Sequence, residues 1–170
     1  MRDWSAACAA HRESVERFVS DAERLPALRW SAEPSPGKWS PAQIAEHLSL
    51  TYERLLAELR GGAPMRRRGR WYVRLLSRYW FLPAVLRNGR IPSGVPSPRE
   101  VRPQPTEATR GDALLRFRSL ASEFEREITA RRSARGVTLT HPYFGALTAE
   151  QSIRFVEVHI RHHSRQLPEA

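Results

Sequence analysis

Apolar residues in this chain recur at spacings of three and four far more often than they alternate, which marks amphipathic helices rather than strands. Val15, Phe18, Val19, Ala22 and Leu25 make one such stripe within residues 3–24, and a proline- and serine-containing loop from Pro26 to Lys38 ends it. The next helix opens with a complete start signal: Ser40 as N-cap, Pro41 at the first helical position and Gln43 at the third, with Trp39 and Ile44 placed to staple the turn. It runs to about Arg60 and stops at Gly61-Gly62. Thr109 opens a third long helix reaching about Arg132, and Thr148-Ala149-Glu150-Gln151 opens a last one that ends at Pro168. Four long amphipathic helices predict an all-α fold, a four-helix bundle.

Residues 61–108 depart from that scheme. Met65-Arg66-Arg67-Arg68-Gly69-Arg70 leads into the aromatic run from Trp71 to Leu82, and a proline-rich stretch from Pro92 to Pro105 follows. This predicts an additional basic, aromatic helix inserted between helices two and three, then a long crossover, which lets the helices on either side run parallel. Arg67, Arg70, Arg74 and Arg78 recur beside Trp71, Tyr72, Leu75, Tyr79 and Trp80. Either the aromatics cap the bundle or a homodimer interface while the arginines stay in water, or the stripe lies on an anionic membrane or an acidic ligand.

At 170 residues the chain suits a single domain, 1–170, able to bury roughly 70% of its unfolded surface. The lone Cys8 excludes an internal disulfide framework and any cysteine-rich zinc module, so a metal would have to sit on histidines and carboxylates. The start of the chain lacks the order of a signal peptide and no long uncharged apolar run follows, so a cytoplasmic location is expected. The net charge is +10, and Lys38 is the only lysine among 28 basic residues, which fits a GC-rich genome. Such a field also attracts an anionic small molecule or a membrane surface. Nucleic acid is disfavoured, because no recognition-helix or RNA-binding signature accompanies the charge.

Three of the six histidines fall in the last helix. At about 100° per residue, with His159 at zero, His163 lies at about 40°, Gln166 at about −20° and His162 at about −60°. His159 and His163 share the stripe of Ser152, Phe155 and Val156 and point inward, whereas Arg154, Arg161 and Arg165 fall on the far side. Histidines at i and i+4 can present nitrogens to one divalent ion, but a third ligand must come from elsewhere. The candidate is His47, alone in the second helix and at the edge of its buried face, where a cleft ligand and a surface histidine are equally at home. The alternative for all three is a polar core patch without metal. His162 reads as a rim residue or a partner of a ligand. His141, before Pro142, either lines the mouth of the site or is a turn residue, and His11 reads as surface. No general base is identifiable: Glu46 and Glu53 point roughly 100° or more from His47, and Gln166 cannot titrate, though it could orient a ligand or water.

The histidine after a Trp-Ser-Pro-capped second helix, the aromatic-glycine loop His141-Pro142-Tyr143-Phe144-Gly145-Ala146-Leu147-Thr148, and the final helix with His159, His163 and Gln166 together resemble the DinB-like superfamily of metalloenzymes. The resemblance implies a four-helix bundle with His47, His159 and His163 holding Zn2+ or Ni2+. It also implies a transferase or isomerase activity dependent on a low-molecular-weight thiol such as mycothiol or bacillithiol, or a hydrolase acting on a small molecule. Three neutral histidines leave a coordination position open, where the metal would bind a thiolate or lower the pKa of water to roughly 7. The segment 61–108 is longer and more basic than the family pattern. The rival reading is non-enzymatic, a helical bundle whose arginine and aromatic insert docks on an anionic membrane or an acidic partner.

Overall fold

A computed structural model of the protein describes residues 3–92, 94, 96–104, 108–133 and 138–168. The long helices are α1 (Trp4–Arg24), α3 (Pro41–Leu59), α6 (Arg110–Arg131) and α7 (Ala149–Ser164), with a short α2 (Ala27–Trp30) in the first loop. Between α3 and α6 come α4 (Trp71–Leu76), a π-helical turn (Ser77–Phe81), α5 (Leu82–Asn88) and a 3-10 turn (Arg99–Val101). Residues 93, 95 and 105–107 of the crossover lie outside the described residues.

The starts of α3 and α7 follow from side chains that satisfy the free backbone N–H groups of a first turn. Ser40 accepts from the Gln43 amide while Gln43 Oε1 accepts from the Ser40 amide, and Thr148 and Gln151 repeat the exchange. At the other end of α3, the Gly61 amide reaches the Glu58 carbonyl and the Gly62 amide the Ala57 carbonyl, a Schellman closure with Gly61 at φ 89°. A Cβ on Gly62 would stand 2.7 Å from the Ala57 oxygen, so the chain cannot turn here with any larger residue at that position.

Cross-helix ion pairs report the helix directions. Arg116 of α6 meets Glu46 and Glu53 of α3, and further along both helices Arg60 meets Glu123 and Glu127. Helices α3 and α6 therefore run parallel, as the long crossover predicts. Arg118 meets Glu16, and Arg110 reaches the carbonyls of Glu23 and Leu25, so α1 runs antiparallel to α6. Between them Phe18 and Phe117 pack edge to face, with Tyr52, Phe124, Ile128 and Ile153 completing the interior.

Three expectations need correction. Part of the expected aromatic-glycine loop is a two-stranded antiparallel hairpin, β1 (Thr138–His141) with β2 (Gly145–Thr148). Its alternation is short but real: Leu139 and Leu147 pair across the strands and are buried, and the Glu58 carboxylate accepts the Thr140 amide on the free edge. In the basic segment the aromatics do not cap the bundle: Trp71, Tyr79 and Trp80 are exposed, and of the arginines Arg67 and Arg70 are exposed as expected while Arg74 and Arg78 are half-buried. Finally, His11 is not a surface residue but 1% exposed. Its Nδ1–H donates to the Glu125 carboxylate at 2.8 Å, which leaves Nε2 to accept the Tyr52 hydroxyl at 2.6 Å. Helices α1, α3 and α6 are tied at one buried point.

Removing one member of a buried hydrogen-bonded set strands its partner. Tyr52→Phe leaves His11 Nε2 without its donor and lowers unfolding free energy by about 1–3 kcal/mol, measured by urea denaturation.

Candidate metal centre

Helix α3 carries His47 about two turns from its capped start, and α7 carries His159 and His163 one turn apart on its inward stripe. The structure brings these three together, with one ligand atom of each lying within 4.8 Å of the others. His159 Nε2 stands 3.2 Å from His47 Nε2 and 3.1 Å from His163 Nε2.

Hydrogen bonds on the far side of two rings set which nitrogen is bare. His47 Nδ1–H donates to the Val101 carbonyl at 2.6 Å, and His163 Nδ1–H donates to Gln166 Oε1 at 2.8 Å. In a neutral imidazole the other nitrogen is then an unprotonated acceptor. Two bare Nε2 atoms thus face His159 Nε2, which has at most one proton to offer. One lone pair is left against another unless a cation lies between them. Three ligands at about 2.0–2.1 Å from one ion in tetrahedral arrangement stand about 3.3 Å apart, close to the distances of the His47 and His163 nitrogens from His159 Nε2. The residues fit a divalent ion, and all three could hold it through Nε2.

The electrostatics agree. Removal from water holds His47 down at about 4 and His163 at about 3, with the hydrogen bonds to Val101 and Gln166 opposing the shift only in part. Burial pushes His159 well below the ordinary imidazole value. All three rings are neutral at pH 7 and keep their lone pairs for a metal.

The other candidates take definite places. Gln166 uses both ends of its amide: Oε1 accepts from His163, and Nε2–H donates to His162 Nε2 at 2.9 Å. His162 thereby sits beside the ligands and supports one of them through Gln166. His141 lines the pocket and also shapes the hairpin turn, its Nδ1 accepting the amides of Tyr143 and Phe144, both at 3.2 Å. It stacks on Phe144 and lies edge-on to Phe155. Glu46 and Glu53 point away from the site to Arg116.

Two contributors escape sequence reasoning. The Val101 carbonyl has no side-chain signal and comes from the crossover. Trp39 is legible only as a helix staple, yet its ring lies 4.8 Å from that of His47 and is stacked near that of His163. The three nitrogens open onto a cavity of about 890 Å³ with apolar walls that include Phe81, Val85, Phe144 and Phe155. Among the described residues no carboxylate lines it. Ser97 on its wall has a buried Oγ with no hydrogen-bond partner among the described residues.

Comparison with known proteins follows the same lines. The sequence profile of the DinB superfamily matches residues 10–167. Among solved structures the chain is similar to YfiT from Bacillus subtilis, with a TM-score of 0.57 and 14% sequence identity over 96% of this chain and 82% of that one. That protein is described as a probable metal-dependent hydrolase with an unusual four-helix bundle topology. Comparison with the curated proteins gives no match.

His141 supplies a test of how the pocket wall is held. Burial lowers its pKa to about 3, so the folded protein keeps the ring neutral while the unfolded chain protonates it below about 6.5. Its contribution to stability is present above pH 6.5 and is lost as pH falls from there toward 3. An asparagine can accept the same turn amides without titrating. His141→Asn should lose about 1–2 kcal/mol less than the wild type between about pH 6.5 and 4.5, measured by urea denaturation at each pH.

Proposed function

We propose that this chain, which belongs to the DinB superfamily, is a metal-dependent enzyme acting on a small and largely apolar molecule. His47, His159 and His163 hold one Zn2+ or Ni2+ ion, and an external low-molecular-weight thiol is the nucleophile of a transfer reaction. The observation that carries the reading is the convergence of the three histidine nitrogens at the end of the cavity, two of them stripped of protons by their partners. The description of YfiT as a probable metal-dependent hydrolase supports the metal and leaves hydrolysis as the alternative reaction.

An ion in this site supplies a Lewis acid, which draws electron density from a coordinated group and lowers the pKa of its acidic proton. The chain's own residues do the rest. Val101 and Gln166 fix the rings of His47 and His163 so that little ordering is needed when a ligand arrives. Trp39, Phe144 and Phe155 exclude water from the neighbourhood of the three nitrogens.

The choice of a thiol rests on what the cavity lacks. No carboxylate among the described residues lines it, and His162 Nε2 is already occupied by Gln166. A general base is therefore missing among the described residues, which suits a thiol, since with a pKa of about 8.5 it ionises near neutral pH with little help. The apolar walls suit the carbon skeleton of the second substrate.

Metal addition followed by gel filtration and elemental analysis should give about one equivalent of Zn2+ or Ni2+ per chain, falling below about a tenth in His159→Ala. Gln166→Leu should weaken metal binding by about 10–100-fold while leaving the fold intact. Unchanged metal content in His159→Ala would overturn the site. Turnover of ester or amide substrates without any thiol would replace transfer by hydrolysis.

A further inference from the structure

The segment from Trp71 to Phe81 turns its apolar side chains toward water. Trp71, Tyr79 and Trp80 are 66%, 67% and 74% exposed, and Tyr72, Leu76 and Phe81 stand about half exposed beside them. Of the arginines between them, Arg78 turns inward to the carbonyls of Phe144 and Ala146, while Arg74 folds back along the segment to the exposed Gly69 carbonyl at 2.9 Å. A run of exposed aromatic and aliphatic side chains on one segment marks an interaction face rather than scattered surface residues.

The charge around that face is as one-sided as its hydrophobicity. Residues 61–108 hold ten arginines against Glu100 and Glu107, so eight of the ten net positive charges of the chain lie in this stretch. Exposed Arg66, Arg67 and Arg70 precede the aromatic run, and exposed Arg87 and Arg90 follow it. Arg70 lies against Tyr72, with its guanidinium 5.7 Å from the ring centre. The cationic groups therefore edge the apolar face and do not interrupt it.

We propose that this face docks on an anionic lipid bilayer, with the aromatic side chains in the headgroup region and the exposed arginines against lipid phosphates. Tryptophan and tyrosine favour that region because each has an apolar ring and a polar edge. Apolar burial and attraction to anionic lipid together give stable but reversible attachment, where either alone is weak. Among the described residues no helix is long and apolar enough to cross a membrane, so the contact is peripheral. A second copy of the chain is the poorer occupant, because it would set one arginine-rich stretch against another. Phe81 belongs both to this face and to the cavity wall, so docking places the cavity beside the bilayer, where apolar molecules concentrate.

The test is co-sedimentation of the full chain with vesicles of phosphatidylcholine alone and of phosphatidylcholine with phosphatidylglycerol at roughly 3:1, in about 50 mM and about 500 mM NaCl. Binding to the anionic vesicles should be at least about tenfold tighter than to the neutral ones, and most of it should be lost at the higher salt. Trp71→Ser with Trp80→Ser, and separately Arg66→Gln with Arg67→Gln and Arg70→Gln, should each weaken it about tenfold or more with unchanged helical circular dichroism. His159→Ala should bind vesicles as the wild type does, which separates this result from the fate of the metal site. Equal binding to both vesicles, no binding, or variants that bind like the wild type would overturn the proposal. So would a dimer, seen by sedimentation equilibrium, that the double tryptophan variant dissolves, or binding confined to an acidic protein surface.

Discussion

Unprotonated nitrogens do not gather without a reason. The lone pairs of His47 and His163 are aimed at His159 because their protons are held behind the rings, by a backbone carbonyl in one case and an amide side chain in the other. Each of those acceptors comes from outside the helix that carries the histidine or from just past its end. The spacing of the three nitrogens therefore depends on the crossover reaching α3 and on α7 stopping in time for Gln166 to fold back. Around this point the fold places aromatic rings, which keep water out and hold the imidazoles neutral.

The crossover between α3 and α6 thus does more than connect parallel helices. Its 3-10 turn supplies Val101, its α5 and neighbouring turns supply Phe81 and Val85 to the cavity, and Arg78 pins it to the hairpin that precedes α7. The hairpin in turn is held on α3 through Glu58 and on its own turn through His141. A chain of backbone contacts therefore links the segment with the exposed aromatic face to the wall beside the histidines. The segment is fastened by buried Leu82 and Val85, by Arg78 on the hairpin, and by Arg154 and Arg165 on the carbonyls of Leu86 and Gly89.

How much of this the sequence discloses depends on whether a signal is local. The four long helices are legible because capping residues and stripes repeat within a few residues of each other, and Ser40, Gln43, Thr148 and Gln151 act as their spacing predicts. The His159 and His163 pair is legible for the same reason. His47 is not, since a helical wheel places it at the edge of a buried face and cannot show that the crossover covers that edge; the family resemblance supplied it. His11 was misread although its signal is present, because it extends the stripe of Val15 and Phe18 one turn toward the start of α1. What the stripe could not show is that Glu125 and Tyr52 wait on two other helices to satisfy it. The hairpin was missed because four-residue strands give too short an alternation to stand out. The outward face of residues 71–81 stayed one of two alternatives because periodicity tells which residues share a side, not which side the protein covers.

Charge balance is the remaining constraint on what the site can bind. The three ligands are neutral, so an ion held by them keeps its full double charge unless an anion joins it. Among the described residues the carboxylates of α3 are engaged elsewhere, Glu46 and Glu53 with Arg116 and Glu58 with the Thr140 amide, while Glu100 beside Val101 has a buried Oε2 without a hydrogen-bond partner, 3.9 Å from Arg68. The basic field of the 61–108 stretch adds to the same imbalance. The three ligands would not neutralise such an ion, and the apolar walls would make an uncompensated charge costly there. An anionic fourth ligand, hydroxide from water or a thiolate, would offset that charge, and a thiolate would enter an apolar cavity at a lower desolvation cost than a carboxylate. A set of three neutral histidines would thus leave the open position to a group that brings its own negative charge.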